Sequence, residues 1–190
     1  MKPVQDTDTD RIFLQLQREL LRMGLAEGTG GQPVRRLLRG QGFCMELPED
    51  FRETDRDRAA ALFYSRHRPE TMVLCPKRCA GFTFQALEAE ADLPVDDMEK
   101  AGNTAREVLR RTDVKTVFYE QGQALAGRVH WFDYKSFAKD GAVYNLMFLF
   151  PAETKVMMGT FYCRFRDYDR WKTEVLKLLE TIRIGEGDTK

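Results

Sequence analysis

"VHWFDYKSFAKDGAVYNLMFLF", residues 129–150, decides the fold. "KDG", residues 139–141, is a tight-hairpin signal, because a turn of this kind needs a residue tolerant of positive φ. Upstream, Val129 and Trp131 share one strand face, and Arg128 and His130 the other. Downstream, both alternating sets are apolar. Val143, Met147 and Leu149 point one way; Tyr144, Leu146, Phe148 and Phe150 point the other. A strand buried on both faces needs cover on both sides, and helices are the available cover.

The flanks extend the pattern. "VKTVFYEQG" runs through a glycine-containing loop into the first hairpin strand, and residues 151–154 turn into "KVMMGTFYCRF". That makes four strands. A C-terminal helix follows, with Asp167 or Asp169 as its cap and Trp171, Val175, Leu178, Leu179 and Ile182 as one apolar stripe. A second helix is expected over residues 95–111. Asp92, Asp96, Asp97 and Glu99 load its start and Arg106, Arg110 and Arg111 its end, the polarity a helix dipole favours, with Gly102 a weak spot. The body opens with "GFCMELPEDF", where Phe43, Met45 and Leu47 alternate with Cys44 and Glu46 as a half-buried strand stopped by Pro48. Residues 8–24 read as an amphipathic helix and residues 26–33 as a flexible linker. The expected organisation is an arm and linker over residues 1–33 and one domain over residues 34–190.

The expected fold class is α+β. It is an α/β/α sandwich with a central, largely antiparallel twisted sheet, an N-terminal helical arm and a C-terminal helix packed on the sheet. The chain has 190 residues, 43% of them hydrophobic, enough for one sizeable core. Thirty basic residues balance thirty acidic ones. That balance gives no global pull on nucleic acid or an anionic membrane, so "RRLLRG" and "FYSRHRPE" read as solvated charges. No apolar run is long enough to span a bilayer. Four cysteines without a secretory signal point to free thiols in the cytoplasm.

The opening "FCMELPEDF", the charged segment "VDDMEKAGNTAREVLRR", the hairpin quoted above and the closing "MMGTFYCRFRDYDRWKTEVLKLLETIRI" together resemble the PsbP-like superfamily. Its members include a photosystem II extrinsic subunit, Ran-binding Mog nuclear-import factors and many bacterial domains. The resemblance spans residues 42–184. It implies a binding or assembly module, and it brings no shared catalytic motif.

"CPKRC", residues 75–79, is the one stretch that looks like a site. Its spacing fits one half of a zinc site, with His67 as a further ligand for Cys75 and Cys79. Lys77 and Arg78 could also activate a thiolate. The plain reading is a turn between the strands "MVLC" and "GFTFQALE", with the cations in water and the cysteines packed as small hydrophobes. His130 lacks a local nucleophile and acid, and no hydrolase, nucleotide-binding or zinc-protease motif is present. "EAEADLPVDDME" lacks the spacing of a calcium loop.

Aromatic residues are dense at Trp131, Phe132, Tyr134, Phe137, Tyr144, Phe161, Tyr162 and Phe165, and most read as core. Because neighbours alternate faces, Phe132, Tyr134 and Tyr162, with Arg128, His130 and Arg164 beside them, make the candidate binding face. The functional expectation is a cytoplasmic, non-enzymatic protein-binding or assembly module with no cofactor. It would engage a protein partner or a second copy, with the N-terminal helix as a further docking element, and neither a membrane nor nucleic acid. The alternatives are a metal- or thiol-dependent enzyme centred on Cys75 and Cys79, and a small-ligand carrier.

Overall fold

A computed structural model describes residues 35–40, 42–54, 69, 71–87, 97–138, 141–153 and 155–185. All of them fall in Val34–Lys190, one of two compact units of the chain. The strands are β1 (Arg35–Gly40), β2 (Phe43–Pro48), β3 (Arg52–Glu53), β4 (Thr71–Cys75), β5 (Ala80–Leu87), β6 (Val117–Ala124), β7 (Val129–Ala138), β8 (Gly141–Ala152), β9 (Lys155–Arg164) and β10 (Arg183–Ile184). The helices among the described residues are α1 (Met98–Thr112), between β5 and β6, and α2 (Tyr168–Leu179), between β9 and β10.

Seven strands form one sheet in the order β3-β4-β5-β9-β8-β7-β6, and three form a second in the order β1-β2-β10. The pairings among the described strands are antiparallel. The four expected strands are β6 to β9. In the β7–β8 hairpin Trp131 faces Phe148 and Tyr134 faces Asn145.

The two apolar sets of β8 are covered from opposite sides. On one side, Phe84 packs edge-on to Phe148 and Phe43 of the small sheet meets Phe150 at 5.1 Å. There Trp171 of α2 packs tilted against Phe161 at 5.2 Å and edge-on to Phe51 at 5.6 Å. On the other side, Met98 and Ala101 of α1 form a cluster with Phe132, Tyr134, Leu149 and Val156. The expected stripe of α2 is buried throughout, Ile182 included, although Ile182 lies just beyond the helix.

Several details differ from the sequence reading. "RRLLRG" is strand β1, paired along its length with β2, and Leu38 is fully buried. Strand β2 is not half-buried, because α2 and the large sheet pack on it while β1 and β10 flank it; Cys44 is as buried as Phe43. Helix α1 starts at Met98, where Asp97 accepts a hydrogen bond from the Lys100 N–H at 2.9 Å. Asp167 occupies the cap position of α2 with no side-chain cap bond. The expected N-terminal arm and linker, Asp92, Asp96, His67, Lys139 and Asp140 lie outside the described residues.

A buried carboxylate ties the elements together. Asp133 on β7 has no exposed side-chain surface. One oxygen accepts the Glu120 backbone N–H at 2.7 Å. The other accepts the Tyr144 hydroxyl at 2.9 Å and the Lys172 ammonium at 2.6 Å. Glu120 sits where the β6–β7 register slips between Phe118 and Gln121, so Asp133 satisfies a donor that the bulge removes from the ladder. Lys172 of α2 also reaches Glu120 at 3.1 Å and lies 5.5 Å from the Trp131 ring.

Replacing Asp133 by Ala leaves an ammonium, a hydroxyl and an amide unmet, and should cost about 3–5 kcal/mol in urea unfolding. A loss under about 1 kcal/mol would show that these bonds hold nothing together.

Candidate functional site

The cysteine stretch is a turn. Cys75 ends β4, Pro76–Arg78 form a single 3₁₀ turn, and Ala80 begins β5 directly opposite Cys75. Cys79 takes a left-handed φ of +48° and is exposed, so it does not pack as a small hydrophobe. Arg78 is not simply solvated. Its Nε lies 2.9 Å from Asp50 Oδ2 and its guanidinium 5.5 Å from the Trp171 ring centre. The Cys75 thiol donates to the same Asp50 oxygen at 3.4 Å. Among the described residues no three His, Cys, Asp or Glu side chains converge as a metal site.

The six candidate binding residues do not form one surface. Arg128 is exposed in the turn between β6 and β7. His130, Phe132 and Tyr134 are buried beneath α1, at 3%, 0% and 7% exposure. Alternation puts them on one face as expected, but the helix layer covers that part of it. Burial pushes the Tyr134 hydroxyl pKa up to about 12, with a smaller push from Asp113. Tyr162 is half-buried and Arg164 exposed, further along the same sheet face on β9. Among the described aromatics Phe137 is the most exposed, at 56%, and Lys135 Nζ lies 5.4 Å from its ring and 4.5 Å from that of Phe165.

Register defines the rest of the face that α1 shares. Tyr162 stands opposite Gly81 and Asn145, Thr160 opposite Thr83 and Met147, and Leu74 opposite Gly81 and Arg52. Leu74, Thr83, Met147, Met158, Thr160 and Tyr162 are all half-exposed, and Arg52 and Arg164 at its margins are exposed. The Tyr162 ring lies across β5, so a Cβ on Gly81 would come within 2.6 Å of its hydroxyl oxygen. Burial raises the Tyr162 pKa to about 12, so the group stays a neutral donor. Asn145 donates to the Ser136 hydroxyl at 2.9 Å.

His130 is the most unusual polar group on this side. Both ring nitrogens are buried without a hydrogen-bond partner. A Cβ on Gly102 would overlap the ring, so the glycine that weakens α1 as a helix former is what lets the helix close over the imidazole. Desolvation lowers the His130 pKa; Glu99 and Asp97 oppose this and Arg106 adds to it.

No protein-family model matches the chain, and no curated protein matches it in sequence. Solved structures match it in fold. Cyanobacterial PsbP (CyanoP) from Synechocystis sp. PCC 6803 superposes with a TM-score of 0.59 at 10% identity, over 84% of this chain and 97% of that one. A mutant of the protein Mog1 superposes with a TM-score of 0.52 at 13% identity, over 82% and 97%. The chain has the PsbP/Mog1-like fold. A Pseudomonas aeruginosa protein of unknown function overlaps more loosely, with a TM-score of 0.43 at 11% identity over 77% and 94%. No helix among the described residues is long and apolar enough to cross a membrane.

In this PsbP/Mog1-like fold the buried imidazole gives stability a pH dependence. The folded pKa lies below the unfolded value of about 6.5. As pH falls below 6.5, the unfolded chain takes up a proton that the folded chain refuses, so stability falls by up to about 1.4 kcal/mol per pH unit down to the folded pKa. His130→Leu should lose less stability than the parent over that window, and parallel stability curves would sink this assignment. Gly102→Ala should cost about 1–3 kcal/mol by forcing the ring aside.

Proposed function

We propose that the chain is a cytoplasmic, non-enzymatic protein-binding or assembly module, and that its partner docks on the accessible sheet face around Tyr162. The observation that carries this reading is the makeup of that face. Two thioethers, a tyrosine and a leucine stand half-exposed among hydroxyl and amide groups, with arginines at the margins. Methionines adapt to a partner's contour, and tyrosine supplies large contact area at a small entropic cost. An apolar centre with a charged rim is the usual anatomy of a protein interface. The arginines favour a partner with an acidic rim.

Two further observations support the reading. His130 is sealed under α1 and reaches neither a nucleophile nor solvent, so it cannot serve as a base toward a bound substrate. The four cysteines are thiols, three of them buried, which suits a reducing compartment. The likeness to CyanoP and Mog1 speaks to fold and leaves the partner open.

The test starts with a partner that co-purifies stoichiometrically from the native host. That partner is then titrated calorimetrically against the parent, Met158→Arg and Thr160→Arg, with melting temperatures as a folding control. Each charge is expected to weaken binding about tenfold or more, about 1.4 kcal/mol. Unchanged affinity in both folded variants would remove the face as the docking site.

A further inference from the structure

The turn after β4 carries two thiols in unequal surroundings. Cys79 is exposed; Cys75 is buried, on the sheet face opposite Tyr162. The Cys75 sulfur nonetheless bends over the turn. It accepts the backbone N–H of Arg78, the residue adjoining Cys79, while its own proton points to Asp50 Oδ2 at 3.4 Å. Cys75 pairs directly with Ala80 across the β4–β5 hairpin, so Cys79, the residue before Ala80, stands at the other end of a turn of three residues. Antiparallel partners have Cα atoms about 4.5–5.5 Å apart, so a small closure of the turn brings Cys79 into the Cα range of about 4.4–6.8 Å that a disulfide spans.

We propose that Cys79 and Cys75 form a redox-modification site, at which a hydroperoxide oxidises Cys79 and Cys75 closes an intramolecular disulfide. The Cys79 sulfur attacks one peroxide oxygen, the O–O bond breaks, and Cys79 becomes a sulfenic acid as the first water (or alcohol) leaves. The Cys75 sulfur then attacks the sulfenic sulfur, the S–O bond breaks, and a second water leaves. The two thiols lose two electrons and two protons in all, and the peroxide is reduced. Burial raises the Cys75 pKa, so its thiol stays protonated until it reacts and needs a base. Asp50 is in place to take that proton.

The turn is coupled to the core as well. Arg78 binds Asp50 and lies over Trp171, so pinching the turn moves a cation that sits on the principal aromatic of α2. The site lies on the sheet face away from the docking surface, so it stands or falls separately from that proposal.

The experiment exposes the full chain to hydrogen peroxide and maps it by non-reducing peptide mass spectrometry, with tryptophan emission recorded in parallel. The parent should lose two hydrogens in mass within the peptide holding Cys75 and Cys79, and two of its four thiols. Its emission should shift, and a thiol reductant should reverse every change. Cys79→Ser should show none of these changes. Cys75→Ala should accumulate a sulfenic acid at Cys79 that dimedone traps. Asp50→Asn should oxidise at Cys79 but close the disulfide about tenfold more slowly or worse. An interchain dimer through Cys79, a sulfinic acid at Cys79 beside an intact Cys75 thiol, or no reaction at Cys79 would each overturn the proposal.

Discussion

Asp133 has no surface in water, so its charge must be met from inside the fold. The groups that meet it come from three elements, Glu120 in the bulge of β6, Tyr144 on β8 and Lys172 on α2, and they converge on Asp133 of β7. A one-residue slip of any strand would carry its donor to the opposite face. The carboxylate therefore acts as a register pin. It fixes where β6 bulges, which way β8 presents Tyr144, and the rotation at which α2 lies on the sheet. Tyr144 in turn touches Tyr168 in the first turn of α2, with ring centres 5.6 Å apart. Lys172 keeps 15% of its side-chain surface exposed, so its charge is only partly desolvated while it neutralises the carboxylate.

The part of the opposite face under α1 is closed by a different rule. Under α1 the contact is steric, between the His130 ring and the missing side chain of Gly102, with Met98 and Ala101 packing around it. A polar group without partners is tolerated there because the imidazole stays neutral. One face thus gains geometric specificity from charged hydrogen bonds, and the other gains close packing at the cost of an unmet polar group.

Much of this architecture was legible because it follows from periodicity. The two apolar sets of β8, the stripe of α2 and the helix polarity before β6 each reflect which face must leave water. What periodicity could not show is what does the covering. Phe132 and Tyr134 were on the expected face, yet only tertiary structure reveals that α1 lies on them while Phe137, two residues beyond Lys135, stays in solvent. Glu46, half-exposed, made β2 look amphipathic, and nothing near it in sequence points to Thr181, whose hydroxyl accepts its backbone N–H across 135 residues. Asp133 left a faint trace, an acid in the middle of a β-rich run, a residue type that strands disfavour. Nothing near it in sequence names Lys172 as its partner. The same holds for the cysteine turn, where the proline and the flanking strands disclosed the turn but not Asp50 or Trp171 beneath Arg78.

The unequal covering of the two faces follows from size. Seven strands about 4.8 Å apart make a sheet about 29 Å across, and one helix is about 10–12 Å in diameter. On the aromatic side α2 shares the work with the small sheet, which brings Phe43 and Leu47 down onto the strands, so that face is closed. On the other side α1 packs on β7 and β8 and reaches Val156 of β9 and Leu87 of β5. Among the described helices α1 is the one on this side, and its width does not extend over β4, β5 and the rest of β9 as well. The residues there are half-exposed as a result, and they are apolar enough that leaving them so carries a cost in water. A partner on this face would recover that cost, so the shortfall of one described helix against seven strands is the physical reason the proposed docking face exists at all.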